Sequence, residues 1–314
     1  MLIGILEPSD FSPVALHMLS GIGDVEQLTT GGDLREFVAD KEVLFIRLAY
    51  RIDKELLQSA LNLRYICSPT TGLNHIDVEA CEAKDIKILC LKGEREFLVS
   101  IRATPEHTFG LVLALLRNYA SALRINTLDK CNRDLYKGEE IYNSEIGIIG
   151  FGRIGKRLAE YFSVFDASAI HFYDIDPNVV GEHKAIRVDS IETLISKSNM
   201  IFLCASYTEG LKGMIDSHLI DCMWGKYFIN TARGELVDEP YLLEKIRTNW
   251  FKGVAIDVIA NETEKNSFAP FLEIDPSVNF LFTPHIGGAT YTSMHRTEEF
   301  IASRLKEENI KAIQ

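Results

Sequence analysis

The sequence predicts an α/β protein made of two Rossmann-like domains, each a parallel sheet covered by helices. Three observations predict it. Short apolar runs alternate with helix-spaced segments along most of the chain, the pattern of strands joined by crossover helices. One such run, Ile146-Gly-Ile-Ile149, leads into the glycine-rich turn Gly150-Phe-Gly-Arg-Ile-Gly155 and then into a helix-spaced segment. The chain has 314 residues, enough for two domains with cores of their own.

Composition narrows the class of partner. Hydrophobic residues make up 46% and charged residues 25%, as in a soluble globular protein. The net charge of −12 and pI of about 5.2 argue against nucleic acid or an anionic membrane as partner. A small anionic ligand stays compatible, because a local group of Arg and His can oppose the overall field. The six cysteines (67, 81, 90, 131, 204 and 222) have no CxxC spacing, so reduced thiols are expected and no metal site. Met1–Leu6 runs straight into Glu7-Pro8 without a basic segment before it, and no apolar run reaches membrane-spanning length. The expected location is cytoplasmic.

In the first hundred residues, Leu2–Leu6, Val43–Leu48, Tyr65–Cys67 and Ile86–Leu91 are expected strands. Val14–Leu19, Lys54–Leu61 and Val78–Ala83 are expected helices. This is a flavodoxin-like or Rossmann-like domain without a nucleotide fingerprint. Ligands of open α/β sheets bind beyond the carboxyl ends of the strands. Arg47, where a strand finishes, and the turn Ser68-Pro-Thr-Thr-Gly-Leu-Asn74 are therefore candidates to face one crevice; the plainer alternative for Arg47 is a solvated surface residue.

The charged stretch 92–102 reads as the crossing to a second domain, expected to begin near residue 98. Thr104-Pro105-Glu106 suits a helix start, with Thr104 as N-cap and Pro105 in the first turn. The helix that follows, through Phe109–Leu116, is apolar nearly all round and needs cover on more than one side. His107 reads as a structural hydrogen-bonding residue.

The turn Gly150–Gly155 then has the context of a dinucleotide site. Gly150 permits the tight turn, Gly152 lets the backbone approach a pyrophosphate, and Gly155 lets the helix pack on the strand. The helix N-terminus offers N–H groups and partial positive charge to the phosphates. The next strand, Ala169–Tyr173, ends at Asp174, 19 residues beyond Gly155. A carboxylate there binds the ribose hydroxyls and repels a 2′-phosphate, which predicts NAD as cofactor. The alternative reading of Asp174 is a turn signal ahead of Pro177.

Four further strands are expected: Met200–Cys204, Lys226–Asn230, Val254–Ile256 and Phe280–Phe282. Arg233, Glu262 and His285 each lie shortly after one of the last three, so all can meet at one edge of a parallel sheet. Their chemistry is complementary. Reduction of a 2-keto acid needs a cation for the substrate carboxylate, suited to the donor fork of Arg233. It also needs an acid for the carbonyl oxygen, suited to His285. A carboxylate such as Glu262 beside the imidazole orients it. Taken singly, each has a bland alternative as a salt-bridge or loop residue.

Taken together, the ordered motifs resemble those of the D-isomer-specific 2-hydroxyacid dehydrogenases, nearest the phosphoglycerate, glycerate and hydroxypyruvate-reducing branch. They are Gly150–Gly155 with Tyr173-Asp174, Asn230-Thr-Ala-Arg-Gly-Glu-Leu-Val-Asp238, Gly253-Val-Ala-Ile-Asp-Val258 with Glu262, and Thr283-Pro-His-Ile-Gly-Gly288. The resemblance implies Arg233, Glu262 and His285 as catalytic residues. It implies cofactor contacts at Gly150, Gly152, Arg153, Ile154, Gly155, Asp174, Cys204, Ala205, Thr231, Ala232, Asp257, Gly287 and Gly288. Substrate contacts are implied at Arg47, Thr71, Gly72, Leu73 and Arg233. It further implies a homodimer through the helix beginning near Thr104. An NAD-binding domain over 98–287 would be inserted into a substrate domain formed by 1–97 and 288–314. Thr70 departs from the family pattern, standing where the substrate loop usually has a glycine. A second reading is an NAD-sensing binding protein like the family's co-repressor relatives.

Overall fold

A computed structural model describes residues 1–123, 133–262 and 264–313, and Cys131 therefore lies outside the described residues. The chain divides into two compact units, Met1–Ile101 with Ala289–Gln314, and Arg102–Gly288.

The first unit is a five-stranded parallel sheet of β1 (Leu2–Ile5), β2 (Asp24–Gln27), β3 (Val43–Phe45), β4 (Tyr65–Ser68) and β5 (Lys87–Cys90), in the order β2-β1-β3-β4-β5. That is the flavodoxin-like order, whose reversal point lies between β1 and β3. Apolar side chains of β1, β3 and β4 alternate between two cores. Ile3, Ile5, Val43, Phe45 and Cys67 enter one; Leu44 and Ile66 enter the other. The long C-terminal helix Tyr291–Ile313 returns to this unit and buries Ile301, Ala302 and Leu305 in the first core. The unit extends past residue 97 because a short helix, Arg95–Val99, sits within the charged stretch expected to be the crossing. It places Leu98 and Ile101 in that core and stacks Phe97 on Phe300 at 4.1 Å.

The second unit is a seven-stranded parallel sheet of β6 (Glu145–Ile149), β7 (Ala169–Tyr173), β8 (Ala185–Arg187), β9 (Met200–Leu203), β10 (Tyr227–Asn230), β11 (Gly253–Ile256) and β12 (Phe280–Phe282). The order is β12-β11-β10-β9-β6-β7-β8, a doubly wound Rossmann sheet with its reversal point between β6 and β9. β9, β10 and β11 are buried at every position, as expected for central strands covered on both faces.

The apolar helix of this unit spans Ala103–Leu116. It starts ahead of the expected cap: Arg102 precedes it without a side-chain cap, and Thr104 lies inside the first turn. Pro105 is tolerated there because first-turn N–H groups have no helical acceptor. Leu111, Val112, Leu115 and Leu116 are buried, whereas Phe109 and Leu113 are half-buried. Among the described residues no helix is long and apolar enough to cross a membrane.

Candidate active site

The glycine turn sits at the reversal point of the second sheet. Gly150 has φ of +90°, and a Cβ on it would fall 2.5 Å from the backbone nitrogen of Ala205 and 2.8 Å from the carbonyl carbon of Cys204. Only glycine fits there without strain. A Cβ on Gly155 would fall 2.4 Å from the carbonyl oxygen of Gly150, so this glycine lets the helix Arg153–Val164 sit on the turn. Gly152 differs: a Cβ there would meet nothing within 4 Å. The space in front of it is open, and the helix N-terminus behind it has no side-chain cap. Uncapped N–H groups facing open space are what a diphosphate needs.

The remaining turn residues are fixed by short contacts. Phe151 donates its N–H to Asp174 Oδ2 at 2.7 Å, and Asp176 donates its own to Oδ1 at 3.0 Å. The carboxylate at the end of β7 is thereby held against the glycine turn. Burial lowers the proton affinity of Arg153, which begins the helix, and Ile154 beside it is half-buried. Burial pushes the Cys204 thiol up to about 12, so at neutral pH it is an apolar wall and not a nucleophile.

The strand ends β10, β11 and β12 build the second half of the site. After β10, Asn230 folds the chain back on itself: its Oδ1 accepts from Ala232 N–H at 3.0 Å and its Nδ2 donates to the Arg233 carbonyl at 3.1 Å. Thr231 is buried with its hydroxyl 2.8 Å from that of Thr108. Arg233 donates to the Ala232 carbonyl at 2.6 Å. Burial lowers its proton affinity, while the charges of Glu262, Glu235 and Asp257 act the other way. A guanidinium stays charged throughout this range. The next residue, Gly234, packs on the segment that leads to Glu262; a Cβ there would lie 2.0 Å from the carbonyl carbon of Ile259.

After β12, His285 Nδ1 lies 2.6 Å from Glu262 Oε2. The carboxylate accepts from Nδ1, which makes Nδ1 the protonated nitrogen of a neutral ring. Glu262 is itself steadied by the Ile259 N–H, which donates to Oε1 at 3.3 Å. His285 has φ of +52°, an uncommon conformation for a residue with a side chain. Asp257 maintains it: the Asp257 carbonyl accepts from His285 N–H at 2.7 Å. The Asp257 carboxylate accepts from the Thr283 hydroxyl at 2.6 Å, Ile286 N–H at 2.9 Å and Gly287 N–H at 2.9 Å. His107 Nε2 stands 3.2 Å from the same carboxylate, the structural role expected of it. Burial alone would raise the pKa of Asp257, but the bonds to His107 and Thr283 and the Ile286 N–H outweigh it and hold the carboxyl below its ordinary value. Gly288 borders open space.

In the first unit, Arg47 follows β3 but its guanidinium is already engaged. It donates to Glu298 Oε1 from Nε at 2.9 Å and from Nη2 at 2.6 Å, and to the Ser9 carbonyl at 3.0 Å. In the loop after β4, Thr71 is exposed and Gly72 and Leu73 are half-buried. Thr70 fixes this loop with its hydroxyl, which donates to the Gly72 carbonyl at 2.8 Å and lies 2.8 Å from the Ser68 hydroxyl.

Residues 109–287 match the model of the D-isomer specific 2-hydroxyacid dehydrogenase family, NAD binding domain, over more than half of the chain. The chain belongs to this family. It is 28% identical over 310 residues to the D-3-phosphoglycerate dehydrogenase of Methanocaldococcus jannaschii, covering 98% of this chain and 57% of that longer protein. It is 29% identical over 266 residues to the hydroxypyruvate reductase of Thermotoga maritima, covering 84% and 83%. A crystal structure of D-lactate dehydrogenase from Aquifex aeolicus, complexed with NAD and lactic acid, superposes with a TM-score of 0.81 at 25% identity, over 99% and 98% of the two chains.

This member of the 2-hydroxyacid dehydrogenases is thus an NAD-dependent oxidoreductase. Its glycine turn, open space at Gly152 and fixed Asp174 carboxylate fit the dinucleotide. From sequence, Arg233, Glu262 and His285 are named and Asp257 is counted among the cofactor contacts, but Asn230, Gly234 and Thr283 are given no role of their own. Asn230 and Gly234 set the Arg233 loop, and Thr283 with Asp257 sets the His285 loop. An Asn at a strand end and a Gly directly after an arginine were the available signals.

Proposed function

We propose that the protein interconverts a small 2-keto acid and the matching D-2-hydroxy acid, of the glycerate or phosphoglycerate type. The observation that carries this reading is the 2.6 Å contact of Glu262 with His285, on the same sheet edge as the half-buried Arg233. Arg233 holds the substrate carboxylate through its fork of donors. His285 Nε2 gives its proton to the carbonyl oxygen in reduction and takes it back in oxidation. Glu262 keeps Nδ1 occupied and stabilises the imidazolium. NAD(H), when bound, supplies or accepts the hydride at the substrate carbon. Gly150, Gly152, Arg153, Ile154 and Gly155 serve its diphosphate. Asp174 serves its ribose, and Cys204, Ala205, Thr231, Ala232, Asp257, Gly287 and Gly288 complete its site.

The first unit is then read as the substrate domain, with Thr71, Gly72 and Leu73 among its substrate contacts. The helix Ala103–Leu116, apolar along most of its length, is read as the interface of a homodimer. A cytoplasmic location completes the reading. NADH consumption with pyruvate, glyoxylate, hydroxypyruvate and 3-phosphohydroxypyruvate tests it: turnover of at least one is expected, and no turnover of any would overturn it. Light scattering on the eluted protein checks the dimer.

A further inference from the structure

Arg187, on the edge strand β8, stands in register with Phe172 of β7 and holds its guanidinium over that ring at 5.2 Å. Phe172 in turn stacks on Phe151 of the glycine turn at 4.0 Å, and both rings are fully buried. From this anchored stem the guanidinium reaches the segment that follows β7. Nη1 donates to the Asp174 carbonyl at 2.9 Å, and Nη2 to the carbonyls of Asp176 at 2.6 Å and Val179 at 2.9 Å. Nε donates to Val179 as well, at 3.3 Å. All three nitrogens are thus spent on main-chain carbonyls of residues 174–179. Ile175, Asp176, Pro177 and Asn178 are exposed, so packing alone does not hold this segment. An arginine beside the ribose carboxylate of a Rossmann sheet can serve a 2′-phosphate. Here its donors are taken by the backbone.

We propose that Arg187 is a positioning residue for cofactor recognition: by clamping the carbonyls of Asp174, Asp176 and Val179 it fixes the Asp174 carboxylate where it selects NAD over NADP. The carboxylate is tied on two sides, since Oδ2 accepts from Phe151 N–H in the glycine turn and Oδ1 from Asp176 N–H in the segment itself. A shift of the segment would move Asp176 N–H and draw the carboxylate off its place. Arg187 opposes that shift by holding the carbonyls of both aspartates. The task needs a planar fork, because a lysine ammonium keeps the charge but does not reproduce donors in fixed directions. The role rests on the ribose reading of Asp174 given above.

The test measures Kd for NADH and for NADPH by fluorescence titration in the wild-type protein, Arg187→Met, Arg187→Lys, Asp174→Ala and the double variant Arg187→Met with Asp174→Ala. Arg187→Met should raise the Kd for NADH by about fivefold while that for NADPH stays within about twofold. Arg187→Lys, which keeps the charge, should show most of the same change in ratio. The double variant should match Asp174→Ala within about twofold, because the arginine acts through the carboxylate. An equal loss for both cofactors marks a merely structural residue and overturns the role. A wild-type ratio in Arg187→Lys, or effects that multiply in the double variant, overturns it too. If Asp174→Ala itself leaves the ratio unchanged, the ribose reading fails and the selectivity with it, whereas hydrogen exchange in the cofactor-free protein still decides the clamp. Exchange at the Phe151 and Asp176 amides about tenfold faster in Arg187→Met supports it, and unchanged exchange overturns it. If Arg187→Met does not fold, Arg187→Lys decides by the same ratio and the same exchange.

Discussion

Both units are parallel sheets with a reversal of strand order, yet the two reversal points are furnished in opposite ways. In the second unit the loop after β6 is stripped to glycine, Gly152 borders open space, and the carboxylate of Asp174 stands to one side of the turn. In the first unit the loop after β1 carries Glu7 into the N–H groups after β3, and Arg47 is neutralised by Glu298. One turn has open space in front of Gly152, and the other has a carboxylate set against its N–H groups. Topology therefore supplies a place for a ligand twice, and side chains decide whether the place is used.

The comparison breaks most visibly if the chemistry does not belong to the second sheet. His285→Ala should lower kcat by about a hundredfold to ten-thousandfold, the usual worth of a general acid, with NADH affinity largely kept. Steady-state kinetics beside NADH fluorescence titration separates the two; full activity in the variant would remove His285 from the acid role. The double variant His285→Ala with Glu262→Gln should be little worse than His285→Ala alone, because residues acting as a unit are not additive.

Next in size are the glycines. Gly152→Ala should raise the Kd for NADH by about tenfold or more. Its thermal midpoint should stay near wild type, as its Cβ meets nothing within 4 Å. Gly155→Ala places a Cβ 2.4 Å from the Gly150 carbonyl oxygen and should cost about 1–3 kcal/mol of stability. Equal thermal shifts in the two variants would contradict the assignment of Gly152 to the ligand and Gly155 to packing.

Asp174→Ala should shift the ratio of NADP to NAD use by about tenfold or more towards NADP, by removing the charge that repels a 2′-phosphate. An unchanged cofactor ratio would count against the ribose assignment. The smallest effect is on stability against pH. Asp257 has its folded-state pKa lowered, so the stability it contributes is present above the unfolded value of about 3.9 and is lost as pH falls through the lower folded value. Urea midpoints of wild type and Asp257→Asn should differ at neutral pH and draw together as pH falls below about 4 and through the lower folded value of Asp257; a gap that persists once that value is passed would show that the carboxylate's charge is not what matters.

Local pattern made much of this legible. The central strands of the second sheet are buried at every position and almost wholly apolar, Asn230 being the polar exception, so their runs announce them, and the residues that follow inherit a place on the sheet edge. The edge strands β2 and β8 escaped notice because Asp24–Gln27 and Ala185–Arg187 face solvent and carry no apolar run. The short helices Leu34–Val38 and Arg95–Val99 are too brief for helical spacing to emerge.

The sequence by itself thus determined the two parallel sheets, the glycine turn with Asp174 as its acidic partner, and the order of Arg233, Glu262 and His285 along successive strand ends. Each of these follows from spacing within a few tens of residues. The tertiary structure alone decided what occupies the first unit's crevice, because Arg47 and Glu298 are 251 residues apart and Glu7 and Arg47 are 40 apart. A charge reads as a solvated surface residue until the fold returns its partner to it. Burial then makes the pairing obligatory, since an unpaired carboxylate in the position of Glu298 would be too costly to keep.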